Sequence, residues 1–89
     1  MATKEDLRES VEWFLDYLKI EKGASMHTLE AYSRDLDEVI GVLSPALFSW
    51  SLLGHGDLQR FDVFLAKVPS RRSAQRKASS FRSFLKFLR

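Results

Sequence analysis

Positively charged side chains are concentrated at the end of this chain. The last 24 residues, Ala66 to Arg89, contain eight of the fourteen Lys and Arg and no Asp or Glu, whereas all twelve acidic residues lie in the first 65. A block of about eight positive charges in one segment indicates an anionic partner, and the phosphate backbone of nucleic acid is the first candidate.

The spacing of these residues places them on one side of a predicted helix. At about 100° per residue, the side opposite the apolar residues of the segment 70–89 holds only hydrogen-bond donors. Arg and Lys neutralise phosphates, while Ser and Gln hydrogen-bond to phosphates or base edges. Arg76 is expected to be exposed. Lys77 is expected to pack its aliphatic stem at the margin of the buried apolar stripe while its amine reaches solvent. The predicted DNA contacts here are Arg71, Arg72, Ser73, Gln75, Arg76, Ser79, Arg82, Ser83 and Lys86.

A second, smaller set of contacts is predicted at the start of another helix. Ser25 and Thr28 have hydroxyls near the unpaired N–H groups of its first turn, which favour phosphate, and Arg34 adds a positive charge. Three carboxylates follow in the same helix, Asp35, Asp37 and Glu38, and they are expected to repel a DNA strand. The predicted contacts in this segment are Ser25, His27, Thr28, Ala31 and Arg34.

Four helices are predicted from apolar spacing to position these surfaces. They span about 3–22, 25–43, 57–67 and 70–89, with Ser25 and Asp57 as N-caps and Gly23 as the end of the first. No segment alternates apolar and polar residues as a strand would. The predicted fold is therefore all-α, a compact four-helix bundle forming one domain over residues 1–89. The residues expected inside include Tyr32, Leu58, Leu85 and Leu88, while Phe87 is expected on the polar side.

Other kinds of site have little support in the sequence. There is no Cys, and His27 and His55 have no ligand partner at helical spacing, so we predict neither a metal nor a cofactor. Tyr32 lies on an apolar stripe and is interpreted as a core residue rather than a nucleophile. No apolar run is long enough for a membrane span and no secretory segment occurs, so a cytoplasmic location is expected.

Trp13 and Ile20 lie outside the main apolar stripe of the first predicted helix. They either cover Trp50, which is the favoured interpretation, or form a small protein-contact patch.

Two segments of the chain resemble one protein family. The first comprises Phe14-Leu15-x-Tyr17-Leu18 and Glu21-Lys22-Gly23-x-Ser25-x-x-Thr28-Leu29-x-Ala31-Tyr32-x-Arg34-Asp35-Leu36, and the second comprises Ser73-x-x-Arg76-Lys77-x-Ser79-x-Phe81-Arg82-Ser83-Phe84-Leu85-Lys86-Phe87-Leu88. At this order and spacing they are similar to the N-terminal core-binding (SAM-like) domain of tyrosine site-specific recombinases, in particular the Xer recombinases and phage integrases. Ala78 departs from the pattern, since relatives usually have a larger aliphatic residue, which predicts thinner packing there.

The resemblance implies a function and a missing partner domain. The domain is expected to form one jaw of a C-shaped clamp on duplex DNA, with its second and fourth helices across the major groove, in DNA integration or chromosome dimer resolution. The family's catalytic Arg, Lys, His or Trp and Tyr residues belong to a C-terminal domain whose motifs have no match here. We therefore expect a monomeric fragment without enzymatic activity, whose parent protein assembles with other recombinase protomers.

Two other functions remain compatible with the sequence. A small helical protein-interaction module could use an Arg-rich face to bind acidic partners. Residues 76–87 alone are also typical of a basic amphipathic helix of the calmodulin-target or membrane-surface type, although the bundle needs their apolar side.

Overall fold

Four α-helices make up most of this computed structural model, which describes residues 4–44, 46–47 and 49–88. The helices are α1 (Lys4–Glu21), α2 (Met26–Leu43), α3 (His55–Ala66) and α4 (Arg71–Leu88), and a 3₁₀ turn, Trp50–Leu52, precedes α3. No described residue lies in a strand, so the all-α prediction is confirmed. The predicted limits at Thr3 and Arg89 lie outside the described residues, and none of the helices described is long and apolar enough to cross a membrane.

Local signals in the sequence set several helix ends. Gly23 has a φ of 63°, a left-handed conformation that glycine adopts without strain, and it follows α1 as predicted. Ser25 is the N-cap of α2, since its Oγ accepts the N–H of Thr28 at 3.2 Å. Ser70 precedes α4, and its Oγ accepts the N–H of Ser73 at 3.3 Å.

The start of α3 differs from the prediction. The helix begins at His55 rather than at about residue 57, and Gly54 rather than Asp57 is its N-cap. Asp57 lies inside the first turn, where its Oδ2 accepts the N–H of Gly54 at 2.8 Å. A carboxylate three residues into a helix can cap the start from within, so its presence did not mark the first residue.

The core forms where the apolar sides of the helices meet. Phe14 of α1 contacts Phe84 of α4 with ring centroids 5.5 Å apart, and Phe61 of α3 contacts Phe81 of α4 at 4.6 Å. These aromatic contacts hold α4 against the bundle and leave its opposite side to solvent. The buried apolar residues are Leu7, Val11, Phe14, Leu36, Val39, Ile40, Leu43, Leu47, Phe61, Phe81 and Phe84.

Three residues at the margins of the core differ from the prediction. Leu58 is 40% exposed, because the buried side of α3 is centred on Phe61. At the end of α4, Leu88 is 37% exposed, while Phe87 packs on Tyr17 of α1 with ring centroids 5.1 Å apart. Because α1 packs against the side of this last turn that carries Phe87, the ring of Phe87 is covered and Leu88 is left partly exposed.

Two residues expected inside pack as predicted, as partly buried side chains against the core. Tyr32 stacks on Phe14 with ring centroids 6.4 Å apart, and Leu85 packs on the same apolar cluster.

The outward residues of α1 remain uncovered. Trp13 is 59% exposed and Ile20 is 76% exposed, which does not support the favoured interpretation that they cover Trp50. The Trp50 indole donates its N–H to the carbonyl of Leu7 at 2.9 Å and packs edge-on against Phe84 at 4.9 Å.

Candidate nucleic-acid interface

The outer side of α4 is rich in exposed hydrogen-bond donors. Four of its residues, Arg71, Arg72, Arg82 and Lys86, form no ion pair with any carboxylate in the part of the chain that the structure describes. Their positive charge is therefore unbalanced within the domain. We call this surface the basic face, and it consists of Arg71, Arg72, Gln75, Ser79, Arg82, Ser83 and Lys86, all of them exposed.

The folding of α4 explains why these side chains share one surface. Phe81 and Phe84 are buried and lie three residues apart, so they fix which side of the helix faces the core. Ser73, which was predicted among the contacts, lies toward that buried side and is half-buried.

Arg76 is the predicted contact whose surroundings differ most from expectation. Its Nε donates to Oδ2 of Asp35 at 2.8 Å and its Nη2 donates to Oδ1 at 3.1 Å, a bidentate pair between α4 and α2. The Arg76 side chain is 41% exposed, while the Asp35 side chain is completely buried. The expectation that Asp35 faces the DNA strand and repels it is therefore wrong. Its carboxylate is buried between α2 and α4, where it pairs with Arg76.

Lys77 completes this contact, and its predicted exposure is also wrong. Its Nζ donates to Oδ1 of Asp35 at 2.9 Å and to Oε1 of Glu38 at 3.2 Å, and its side chain is only 9% exposed. The amine does not reach solvent because a buried carboxylate lies within its reach. We refer to Asp35, Glu38, Arg76 and Lys77 as the α2–α4 ion cluster; its two negative and two positive charges balance.

The protonation states of the cluster follow from these contacts. Burial acts to raise the pKa of Asp35, but the hydrogen bonds and charges of Arg76 and Lys77 outweigh it and hold the pKa below its ordinary value. Burial acts to lower the pKa of Lys77, yet the bonds to Asp35 and Glu38 raise it overall. Hydrogen bonding to Asp35 also raises the pKa of Arg76. These three groups are therefore charged at neutral pH.

The predicted contacts of α2 lie near its start and mostly face solvent. Ser25, His27, Thr28 and Arg34 are exposed, and Ala31 is half-buried. The Ser25 hydroxyl is already used within the protein, since it accepts the Thr28 N–H and donates to Thr28 Oγ1 at 3.1 Å. Arg34 makes no ion pair among the residues described, so it adds one unbalanced charge to this region.

The ion cluster joins the two helices that carry the predicted sets. Ala31 and Arg34 lie within one turn of Asp35 on α2, and Asp35 pairs with Arg76, which is itself a predicted contact on α4, so members of both sets lie beside the contact between the helices. Asp37 is directed elsewhere, since its Oδ1 accepts a hydrogen bond from Arg8 of α1 at 2.7 Å.

Within the described residues, no group of three or more His, Cys, Asp or Glu side chains is placed to hold a metal ion. His27 and His55 are both exposed and lie on different helices.

The comparisons with known proteins identify the family of the chain. The family model for the N-terminal SAM-like domain of phage integrases matches residues 11–89. The tyrosine recombinase XerC of Leptospira interrogans serogroup Icterohaemorrhagiae serovar copenhageni is 36% identical over 88 residues, an alignment that covers 97% of this chain and 28% of that protein. No solved structure matches significantly.

Two further relatives agree with this result. The tyrosine recombinase XerC of Oceanobacillus iheyensis is 38% identical over 80 residues, covering 88% of this chain and 26% of that protein. That of Herpetosiphon aurantiacus is 31% identical over 84 residues, covering 92% of this chain and 28% of that protein. The chain thus spans little more than a quarter of the length of these curated relatives. The chain belongs to the family of phage integrase N-terminal SAM-like domains, as the resemblance of its two segments predicted.

Proposed function

We propose that this domain binds double-stranded DNA through α4 and the N-terminal half of α2. The observation that carries the proposal is the unbalanced charge of Arg71, Arg72, Arg82 and Lys86 on the basic face. An exposed row of cations without carboxylates is suited to a polyanion, and its helical support is about the width that a major groove admits. Membership of a family whose curated relatives are named tyrosine recombinases supports DNA as that polyanion.

The contacts divide into two chemical roles. Arg71, Arg82 and Lys86 would neutralise phosphates, and this sequence-independent term supplies most of the affinity. Arg72 and Gln75 would lie closest to base edges, where an Arg can bind guanine and a Gln can bind adenine in a bidentate manner. At the start of α2, Ser25, His27, Thr28, Ala31 and Arg34 would contact the strand next to the α2–α4 contact.

The ion cluster changes how much charge the domain offers to DNA. Arg76 and Lys77 are balanced by Asp35 and Glu38, so they add little net attraction. The unbalanced set is Arg34, Arg71, Arg72, Arg82 and Lys86. About five neutralised phosphates correspond to a slope of about −4.5 for log K against log salt concentration.

In a longer recombinase this domain would act as one jaw of a clamp on the recombination site. A separate domain would then cut and rejoin the strands, and other protomers would bind the same DNA, in integration or in chromosome dimer resolution. The present chain would contribute binding and positioning, with micromolar or weaker affinity on its own at physiological salt, since half of a clamp buries half of the contacts.

The experiment is a titration of labelled duplex at several salt concentrations with three proteins. Replacing Arg82 and Lys86 by Ala should make the slope shallower by about 1.8, since about 0.9 is lost per phosphate contact. Lys19→Ala, which removes an exposed cation from α1, is the control and should leave the slope unchanged. A slope near zero for the parent protein would remove DNA as the partner, and an equal effect of Lys19→Ala would show that the basic face is not the binding surface.

A further inference from the structure

The buried carboxylate of Asp35 holds one edge of a partly exposed arginine. Its Oδ2 accepts from Nε of Arg76 at 2.8 Å and its Oδ1 accepts from Nη2 at 3.1 Å, while Lys77 Nζ occupies Oδ1 from the other side at 2.9 Å. Asp35 has no exposed surface, so it cannot itself touch a ligand outside the domain. Whatever it does for binding must act through the residues that it holds.

The geometry of a guanidinium determines what remains of Arg76 after this pairing. The planar group has one N–H on Nε and a pair on each Nη. A side-on pair with a carboxylate uses the Nε proton and one Nη2 proton, which leaves both Nη1 protons and the other Nη2 proton at the opposite end of the plane. Asp35 is buried and the Arg76 side chain is 41% exposed, so the edge of the guanidinium that pairs with Asp35 faces inward and the opposite end points away from it.

We propose that Asp35 is a positioning residue, which holds the Arg76 guanidinium so that its outer end presents a fixed pair of N–H donors to two neighbouring acceptors on the duplex. The inference rests on the proposed DNA-binding function and deepens it. The acceptors are either O6 and N7 of one guanine or two phosphate oxygens, since both match the donor fork. Arg76 would thus be the rigid contact of the interface, whereas the unpaired Arg and Lys of the basic face must be ordered when DNA binds.

Two effects of Asp35 on affinity oppose each other. Fixing a long side chain before binding removes an entropic cost that corresponds to about a 2- to 12-fold change in Kd. The negative charge of Asp35, in contrast, weakens attraction to DNA, and this term acts whether or not Arg76 is present. A single Asp35 variant mixes the two effects, but a double-mutant cycle with Arg76 separates them.

The cycle compares the parent protein, Asp35→Asn, Arg76→Ala and the double variant. The duplex Kd of each is measured at one salt concentration and at a temperature where circular dichroism shows all four folded. We expect Asp35→Asn to weaken binding in the parent by a factor about 2- to 12-fold larger than in the Arg76→Ala background. An equal factor in both backgrounds would overturn the proposal, because charge removal or general loosening acts in both.

Lys77→Met is the matched control for the same carboxylate. It removes the other cation that contacts Asp35, keeps an apolar stem in place, and leaves the bidentate pair with Arg76 intact. The melting temperature should fall while the duplex Kd stays within about twofold of the parent. A loss of affinity as large as that of Asp35→Asn would mean that the ion cluster only holds the helices together, and would overturn the proposal.

Arg76→Lys gives a second test that does not require Asp35 to be changed. Lysine keeps the positive charge and can pair with Asp35, but it lacks the planar pair of N–H donors that a guanidinium presents. Binding as weak as that of Arg76→Ala supports the proposal, and parental binding overturns it. Duplex in which 7-deazaguanine replaces guanine identifies the acceptor: the effect of Arg76→Ala disappears for a guanine contact and persists for phosphate.

The outcomes also distinguish this inference from the proposed function. If the parent protein binds duplex with the expected salt dependence but the cycle shows no coupling, only the role of Asp35 is refuted. If the parent protein does not bind duplex at all, the proposed function fails and the inference fails with it.

Discussion

Removing the buried carboxylate of Asp35 should destabilise the domain more than removing any one of its surface charges. In Asp35→Ala, Lys77 would be left in a buried position, 9% exposed, and among the described residues it would keep one carboxylate partner, Glu38 at 3.2 Å. Arg76 is 41% exposed and can recover water more easily. Removing one partner of a buried ion pair costs about 3 to 5 kcal/mol, and we expect the lower end because Glu38 still pairs with Lys77.

This cost is large for a domain of this size. Small domains unfold with a free energy of about 5 to 15 kcal/mol, so a loss of about 3 kcal/mol removes between about a fifth and three-fifths of the stability. A change of 1 kcal/mol shifts the melting temperature by about 4 to 8 °C at this length, so the expected fall is about 12 °C or more. Thermal unfolding followed by far-ultraviolet circular dichroism measures it directly.

Two further variants separate the buried pair from a general charge effect. Asp37→Ala removes a carboxylate from the same helix, but Asp37 is 53% exposed and pairs with Arg8 at the surface, so the loss should be about 1 kcal/mol or less. In the double variant with Asp35→Ala and Lys77→Met, the buried amine that has lost one of its two carboxylates is also removed, and part of the lost stability should return. If Asp35→Ala melts like Asp37→Ala, or the double variant is no more stable than Asp35→Ala, the reasoning about the buried charge is refuted.

The remaining predictions concern pH, the core and catalysis. The folded protein holds the pKa of Asp35 below its ordinary value, so the stabilisation that ionised Asp35 contributes is present above the unfolded pKa of about 3.9 and is lost as pH falls through the folded pKa. Below about pH 5 the melting temperature should therefore fall more steeply with decreasing pH for the parent protein than for Asp35→Asn. Equal slopes for the two proteins would contradict this. Leu36→Ala, at 1% exposed, should cost about 2 to 5 kcal/mol in urea unfolding, whereas the same change at Leu58, 40% exposed, should cost less than about 1 kcal/mol; equal losses would show that the register of α2 or α3 is wrong. With a nicked duplex substrate, the chain should leave no covalent protein–DNA adduct in a denaturing gel, and an adduct that Tyr32→Phe abolishes would refute its interpretation as a packing residue.

The helices and their outer sides could be predicted from the sequence because both depend on local periodicity. A helix repeats every 3.6 residues or so, and the apolar residues of α2 and α4 follow that spacing closely enough to fix which side is buried. Once Phe81 and Phe84 are placed inside, the exposure of Arg82 and Lys86 follows without knowledge of the other helices. The family resemblance was predictable for a different reason, since it depends on the order of two motifs rather than on geometry.

The ion cluster could not be predicted in this way because its members are far apart in sequence. Asp35 and Arg76 meet only after two helices pack. A charged residue is ordinarily assigned to the protein surface when no ion-pair partner lies near it in the sequence. A signal was nevertheless present: Asp35 lies four residues before buried Val39, and Lys77 lies four residues before buried Phe81. Opposite charges at such positions on two helices indicate a buried pair between them.

The distribution of charge along α4 gives these observations a common explanation. Cations in the first turn of a helix are disfavoured by its dipole by about 0.3 to 1 kcal/mol each, yet Arg71 and Arg72 occupy that turn and no acid does. Two cations of α4, Arg76 and Lys77, form ion pairs within the domain, and their partners are carboxylates of α2. Arg71, Arg72, Arg82 and Lys86 form no ion pair in the described part of the domain, and they all lie on its basic face. Since unbalanced cations on one face repel one another, an anion bound there would relieve a repulsion that folding leaves in place, and the phosphate backbone of the proposed duplex ligand would supply that anion.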